Sequence, residues 1–335
     1  MNVQKLETLP PPPGVFNSLK AGFDVVSSRA GLILLPSVLD IFLWLGPRLS
    51  VGNIYSALFA EWLDFSRKAD FPVQNVQVLK EGVEMFGHIN ILNVMRTFPI
   101  GIPSLFSGNL PDTLPLQTPI GIQSVIQVSS ILGMFGWIVL LTIVGWIGGG
   151  LYFRWVSEST LGAEDAGINP MRAIIQTFIL SLACVIGLMV ILFPVLMVLS
   201  FLALISSALA NGAVFIIMLL SFWLIVPLFF MPHGIFTRKQ NAFHSVLTSL
   251  KMARFTLPTS SLFVFSVFVL STGLNSLWSV PSNNSWMMLV GIGGHAFVTT
   301  ALLSASFVYY REMNNWLQTM SERFRQAGQS SIAQK

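Results

Sequence analysis

AIIQTFILSLACVIGLMVILFPVLMVLSFLALISSALANGAVFIIMLLSFWLIVPLFFMPHGI, residues 173–235, is an almost uninterrupted apolar run. A helix crosses the hydrocarbon of a bilayer in about 20 residues, so this run holds two spans or, tightly folded, three. Its best turn signal is SSALANG at 206–212, where Asn211 and Gly212 form a breaker. Division there places spans at 173–203 and 213–232. How many times this stretch crosses fixes the side on which everything after it lies.

Charge placement decides between the two counts. The loops after 203 and at PSNNS, 281–285, carry no Lys or Arg. The segments 154–172 and 236–257 carry Arg154, Arg172, Arg238, Lys239, Lys251 and Arg254. Further basic residues stand at the N-terminus and in the tail, at Arg311, Arg323, Arg325 and Lys335. With two crossings in 173–235 all of these fall on one side, which the positive-inside rule makes cytoplasmic. Three crossings would move 236–257 outside. The expected chain is therefore an all-α polytopic membrane helix bundle with six transmembrane helices and both termini inside. The spans are 30–49, 131–153, 173–203, 213–232, 257–280 and 286–310.

Composition agrees. Charged residues are 10% of the 335, hydrophobic residues 53%, and the mean hydropathy is +0.73. A soluble domain carries about 25% charged residues, and this chain lacks the charge for an aqueous surface. The expected location is a bacterial cytoplasmic membrane. Residues 1–29 have no continuous apolar core and read as a cytoplasmic tail with an interfacial helix rather than a signal peptide. Cys184 is the one cysteine, so no disulfide framework exists, and a lone buried thiol reads as packing.

The pieces outside the spans have their own patterns. Segments 14–36, 167–180 and 241–258 loosely resemble one another and each leads into an odd-numbered span. Each reads as a basic amphipathic helix lying in the inner interface, either as one unit repeated three times or by convergent interface chemistry. His233 and His244 fall at that same interface, within reach of lipid headgroups. The cytoplasmic loop 154–172, the interfacial helix 236–257 and the basic tail 311–335 all face anionic lipid headgroups. Met313, Trp316, Met320 and Phe324 form the apolar stripe of that tail.

Residues 50–130 form an extracytoplasmic cap. Ile54, Leu58, Trp62 and Phe65 make the stripe of one amphipathic helix, and Val76, Leu79, Val83 and Phe86 that of another. TFPIGIPSLFSGNLPDTLPLQTPIG, 97–121, is too rich in Pro and Gly for regular helix. The cap is expected to pack on the bundle or the outer leaflet, as a lid over an internal cavity or as a plain surface cover, with its apolar part, PIGIPSLF, against the membrane.

Within the spans, two ionisable residues stand out. Asp40 lies eight residues before Arg48, about 12 Å in from the outer end at the helical rise. His295 lies ten residues after Ser285, about 15 Å in from the same side. Their shared depth leads us to expect an intramembrane pair, acting as a proton relay or substrate site, or as a polar clamp on helix register. Gly145 and Gly149, and Gly291 and Gly294, are expected at close helix packing faces. Pro36, Pro194 and Pro227 lie inside spans, where a proline kinks a helix or frees a carbonyl.

Enzyme signatures are missing from the sequence: no HExxH, no GxSxG, no Gly-rich phosphate loop, and no His or carboxylate at metal-ligand spacing. The expectation is a protein without catalysis, metal, cofactor or nucleic-acid partner. Its partners would be the lipid bilayer and, in a second reading, membrane subunits bound by the glycine faces.

The six-span layout and the passage GIFTRKQNAFHSVLTSLKMARFTLP, 234–258, resemble a broad group of bacterial polytopic membrane proteins. That group includes the membrane domain fused to some glycerophosphodiester phosphodiesterases. The resemblance covers mainly the second half of the chain and implies a helical membrane domain. No hydrolase domain accompanies it, and the long segment 50–130 departs from that layout, so no catalytic residue carries over.

Overall fold

The computed structural model describes residues 11–69, 76–107, 116–162 and 167–332. Nearly all of this is helix. Helix α1 is Val15–Ser28, and a 3-10 turn at Ala30–Ile33 leads into α2, Leu34–Leu45. The segment read from the sequence as a cap follows, with α3 at Gly52–Lys68 and α4 at Val76–Gly87. Five long or short helices complete the chain before its last one: α5 Ile131–Leu161, α6 Pro170–Ile205, α7 Ser207–Phe230, α8 His233–Thr237 and α9 Ala242–Trp278. The last, α10, runs from Met288 to Ile332.

Local chemistry sets these boundaries. Ser130 accepts from Gly133 N at the start of α5, and Gly162 ends that helix at a φ of 87°. Asn169 accepts from Met171 N, with Pro170 in the first turn of α6, and Asn241 accepts from His244 N at the start of α9. These are the residues that satisfy the orphan N–H groups of a first helical turn.

Four of the helices are long and apolar enough to cross a membrane. The count reaches six if each of two bent pairs serves as one span. One pair is α1 with α2, which meet at 94°; the other is α7, which bends by 44° near Phe222. That bend falls about one turn before Pro227, where a proline ring displaces a carbonyl. Pro36 sits in the first turn of α2, where its missing N–H costs nothing, and Pro194 lies within an α6 that is helical from 170 to 205, so it removes one backbone hydrogen bond without ending the helix.

The break between α6 and α7 is at Ser206, whose backbone is extended, and Asn211–Gly212 is helical. The apolar neighbours on both sides extend the helix through the Asn-Gly pair. The three supposed interfacial helices also differ. Only the first is a separate element; the second is the opening of α6, and the third is joined to the next span through a kink at Thr256, two residues before Pro258. Residues 311–332 continue α10 without a break, as the tail pattern suggests.

The helix α10 is the axis. Of its most apolar window 61% is buried, against none of the corresponding window of α6. Ala301 and Ala305 let α1 cross closely at Gly22, and Phe307, Tyr309 and Tyr310 fill the space around them. Helices α5, α6, α7 and α9 form an arc closed by α10. Near its C-terminal end α7 meets α10 through Phe230, whose ring lies 5.7 Å from that of Tyr309. From Leu182 to Ile225 no described side chain is buried, so the α6–α7 hairpin splays away from the axis at the cap end.

The cap is anchored by short strands and by a glutamine. Strand β1, Arg48–Ser50, pairs in parallel with a strand at Val125–Gln127, and a small antiparallel pair joins Gln117–Thr118 to Gly121–Ile122. Gln123 Nε2 reaches the carbonyls of Leu43, Trp44 and Gly46 at 3.1, 3.2 and 2.7 Å, capping the orphan acceptors that end α2. Of the stripe on α3 only Ile54 is buried; Leu58, Trp62 and Phe65 are exposed. Most of the second stripe lies outside the residues whose side chains are described.

PIGIPSLF does not lie on the outside of anything. Ile100 is fully buried among Tyr152, Phe153 and Val156, and Leu105 packs with Trp44, Met288 and Ile292. The chain enters the bundle through a 3-10 turn at Ile91–Met95, turns where Thr97 Oγ1 donates to Ile100 O at 2.6 Å, and leaves by Ser104. Glycine makes this possible. A Cβ on Gly145 would stand 2.5 Å from Met95 O, and one on Gly149 would stand 2.8 Å from Gly101 Cα. Gly145 and Gly149 therefore receive this internal hairpin, not another helix. Gly291 and Gly294 do pack on a helix, against the carbonyl and the ring of Trp278.

Substituting Gly149 with Ala is expected to destabilise the purified protein by about 1–3 kcal/mol, because backbone on both sides leaves no room to yield. Gly136→Ala, where a methyl meets nothing within 4 Å, should be neutral. Reversible unfolding in mild detergent reads the difference, and equal stabilities would remove the close approach.

Candidate binding cavity

The hairpin 96–107 walls one side of a cavity of about 590 Å³. Arg96, Thr97, Phe98, Pro99, Gly101, Ile102 and Pro103 contribute from the hairpin. Phe153 comes from α5, Ile225, Leu228 and Phe229 from α7, and Val267 and Ser271 from α9. Thr299, Leu302, Leu303 and Ser306 line it from α10, and Pro232 and His233 close the far end. The cavity lies where the hairpin, α7, α9 and α10 face one another.

Its wall is mainly apolar with a few hydroxyls, the composition of a site for a largely hydrophobic ligand oriented by few polar contacts. One full charge is present in it. Arg96 lines the cavity with an exposed side chain, and its Nη1 donates to Ser107 Oγ at 3.2 Å. No carboxylate lines the cavity among the described residues. The neighbouring Met95 carbonyl rests on Gly145, so Arg96 stands opposite the middle of α5.

Asp40 and His295 are not brought together. Ser104 Oγ donates to Asp40 Oδ1 at 2.5 Å, and Leu105 N lies 3.0 Å from both carboxylate oxygens. The carboxylate thus holds the returning strand of the hairpin. His295 is buried, and its Nε2 has no hydrogen-bond partner. The equal depth read from the sequence overlooks a third element: Leu105 packs between Trp44 of α2 and Met288 and Ile292 of α10. Neither Asp40 nor His295 lines the cavity.

His233 also differs from expectation. It is buried rather than at a headgroup surface, with Nε2 2.7 Å from Ser306 Oγ and its ring against Phe229 and Phe307. His244 stays exposed beside its cap residue Asn241. Cys184 is half-buried, its Sγ 3.6 Å from Met231 Sδ, in a packing environment.

Sequence reasoning passed over Arg96, Ser104, Leu105 and Gln123 because they lie in a segment assigned wholesale to the exterior. Residues 98–107, which enter the bundle, carry no charge, but neither do 113–130, so charge alone does not single them out.

The Asp40 contacts make a separable prediction. A hydrogen bond to a charged group contributes about 1.5–3 kcal/mol, so Asp40→Asn and Ser104→Ala should be non-additive by at least about 1 kcal/mol in unfolding measurements. Asp40→Asn combined with His295→Leu should be additive within about 0.5 kcal/mol, as expected for side chains that share no contact. Reversed couplings would restore the acid–imidazole pair.

Comparison with protein-family profiles, with curated proteins and with solved structures finds no match to this chain, and its function is read from the cavity itself.

Proposed function

We propose that the chain is a six-span protein of a cytoplasmic membrane, with both termini inside, that handles a small amphipathic molecule or lipid without catalysing its conversion. The supporting observation is the apolar cavity, set beside a hairpin of helices that buries nothing at the cap end. In a bilayer the gap between α7 and α10 opens toward lipid, so an apolar molecule reaches the cavity without crossing an aqueous phase. The basic segments at Arg154–Arg172, Arg238–Arg254 and Arg311–Arg325 then lie under the inner leaflet beside anionic headgroups.

A subunit that assembles through glycine faces is less well supported. Gly145, Gly149, Gly291 and Gly294 are already covered by the chain's own hairpin and by Trp278. The exposed apolar hairpin of α6 and α7 is the surface that would serve such a role.

Two measurements test the proposal. In a Cys184→Ser background, cysteines placed at Lys239 and Arg325 should react only from the inside and a cysteine at Asp64 only from the outside. Opposite labelling of 239 and 325 overturns the six-span threading. Leu302→Trp, which fills the cavity, should lower by several-fold the lipid retained after gentle purification, read by mass spectrometry; unchanged retention removes the cavity as the site.

A further inference from the structure

We infer that the molecule held in the cavity is an anionic amphiphile, an acyl or alkyl chain ending in a phosphate or carboxylate, whose headgroup is bound by Arg96. This rests on the cavity reading above and adds the chemical class of its ligand. A guanidinium opposite the middle of an apolar helix is costly unless water or an anion meets it. Asp40, the carboxylate of the neighbouring span, is committed to Ser104 Oγ and Leu105 N and lies outside the cavity wall. The only side-chain acceptor recorded for Arg96 among the described residues is the neutral hydroxyl of Ser107. The fork of a guanidinium matches the paired oxygens of phosphate or carboxylate.

The rest of the wall fits the remainder of such a molecule. Phe153, Phe229, Val267 and Leu302 offer apolar surface for a chain, and Thr299 and Ser271 offer hydroxyls. A cationic ligand finds no counter-charge there. A neutral one leaves the guanidinium unmatched.

The test uses the full chain in nanodiscs of phosphatidylcholine, with radiolabelled dodecyl phosphate, dodecanoate and dodecanol counted against empty nanodiscs. The three probes share a tail and differ in headgroup. One or both anions should bind at least roughly ten-fold more tightly than dodecanol, the effect of one charge-assisted contact. Which of the two binds tighter assigns the headgroup to phosphate or to carboxylate. Arg96→Gln should abolish the preference while leaving dodecanol binding in place, Arg96→Lys should keep part of it, and Arg67→Gln on the exposed face of α3 should change nothing.

Equal binding of anions and dodecanol by the unaltered chain overturns the inference, as does a preference that survives Arg96→Gln. Either result leaves the lipid cavity standing. If no probe binds, or if Leu302→Trp blocks none of them, the cavity reading itself falls, which separates the two failures. Because the headgroup preference is read on the unaltered chain, poor folding of a variant does not shelter the inference.

Discussion

A polypeptide that leaves regular helix inside an apolar bundle must find partners for its backbone, and the whole centre of this molecule follows from how that is done. Within lipid there is no water to take up a free N–H, so irregular chain is tolerated only where protein satisfies it or where it lines a cavity. Both conditions hold at 96–107. Asp40 accepts from Leu105 N and Ser104 Oγ, and the far side of the hairpin faces the cavity. A carboxylate that looks misplaced among Leu39, Ile41 and Phe42 is an acceptor for a segment distant in sequence. With it the hairpin is held, the gap between α7 and α10 becomes a cavity instead of a packed core, and Arg96 is carried inward.

The glycines complete that arrangement. A helix presenting side chains at 145 and 149 would hold the hairpin a side chain's width away, and Ile100 would lose its place beside Tyr152 and Val156. At α10 the same device works between helices, where Gly291 and Gly294 admit the end of α9 and set the slant at which it leaves the axis. Close approach on one side and splay on the other are complementary. The axis is dense where small residues let neighbours touch, and open where α7 bends before Pro227.

Much of the layout is legible from hydropathy and charge because those patterns are local. The apolar blocks, the turn at 281–285, the helices α3 and α4 and the long helical tail each depend on residues near in sequence. Positions of breaks inside the apolar run are less legible. Asn211–Gly212 ends helices in water, but with apolar residues continuing on both sides the pair stays helical and the chain turns at Ser206 instead. The partner of Asp40 was not legible, since depth along a span is a single coordinate and takes no account of what lies between two helices. The hairpin occupies that space. Its uncharged stretch of Pro and Gly reads as surface loop in any local window, and lack of charge does not mark it as buried, because the equally uncharged 116–130 is mostly exposed.

Arg96 lies on the hairpin and Asp40 on α2, where it accepts from the hairpin's returning strand, and the two charges must be considered together. Insertion of either alone would cost about 2.5–3.5 kcal/mol on biological insertion scales. Their opposite signs reduce the long-range part of that cost without a direct ion pair, because attraction between unit charges falls only as the inverse of distance where water is excluded. A direct pair would have been cheaper still, and it would have quenched the guanidinium. Separation by the hairpin backbone leaves Asp40 bound to donors and Arg96 with an open face. The structure thus keeps a cation at the wall of an apolar cavity while the carboxylate of α2 is held on the hairpin's returning strand.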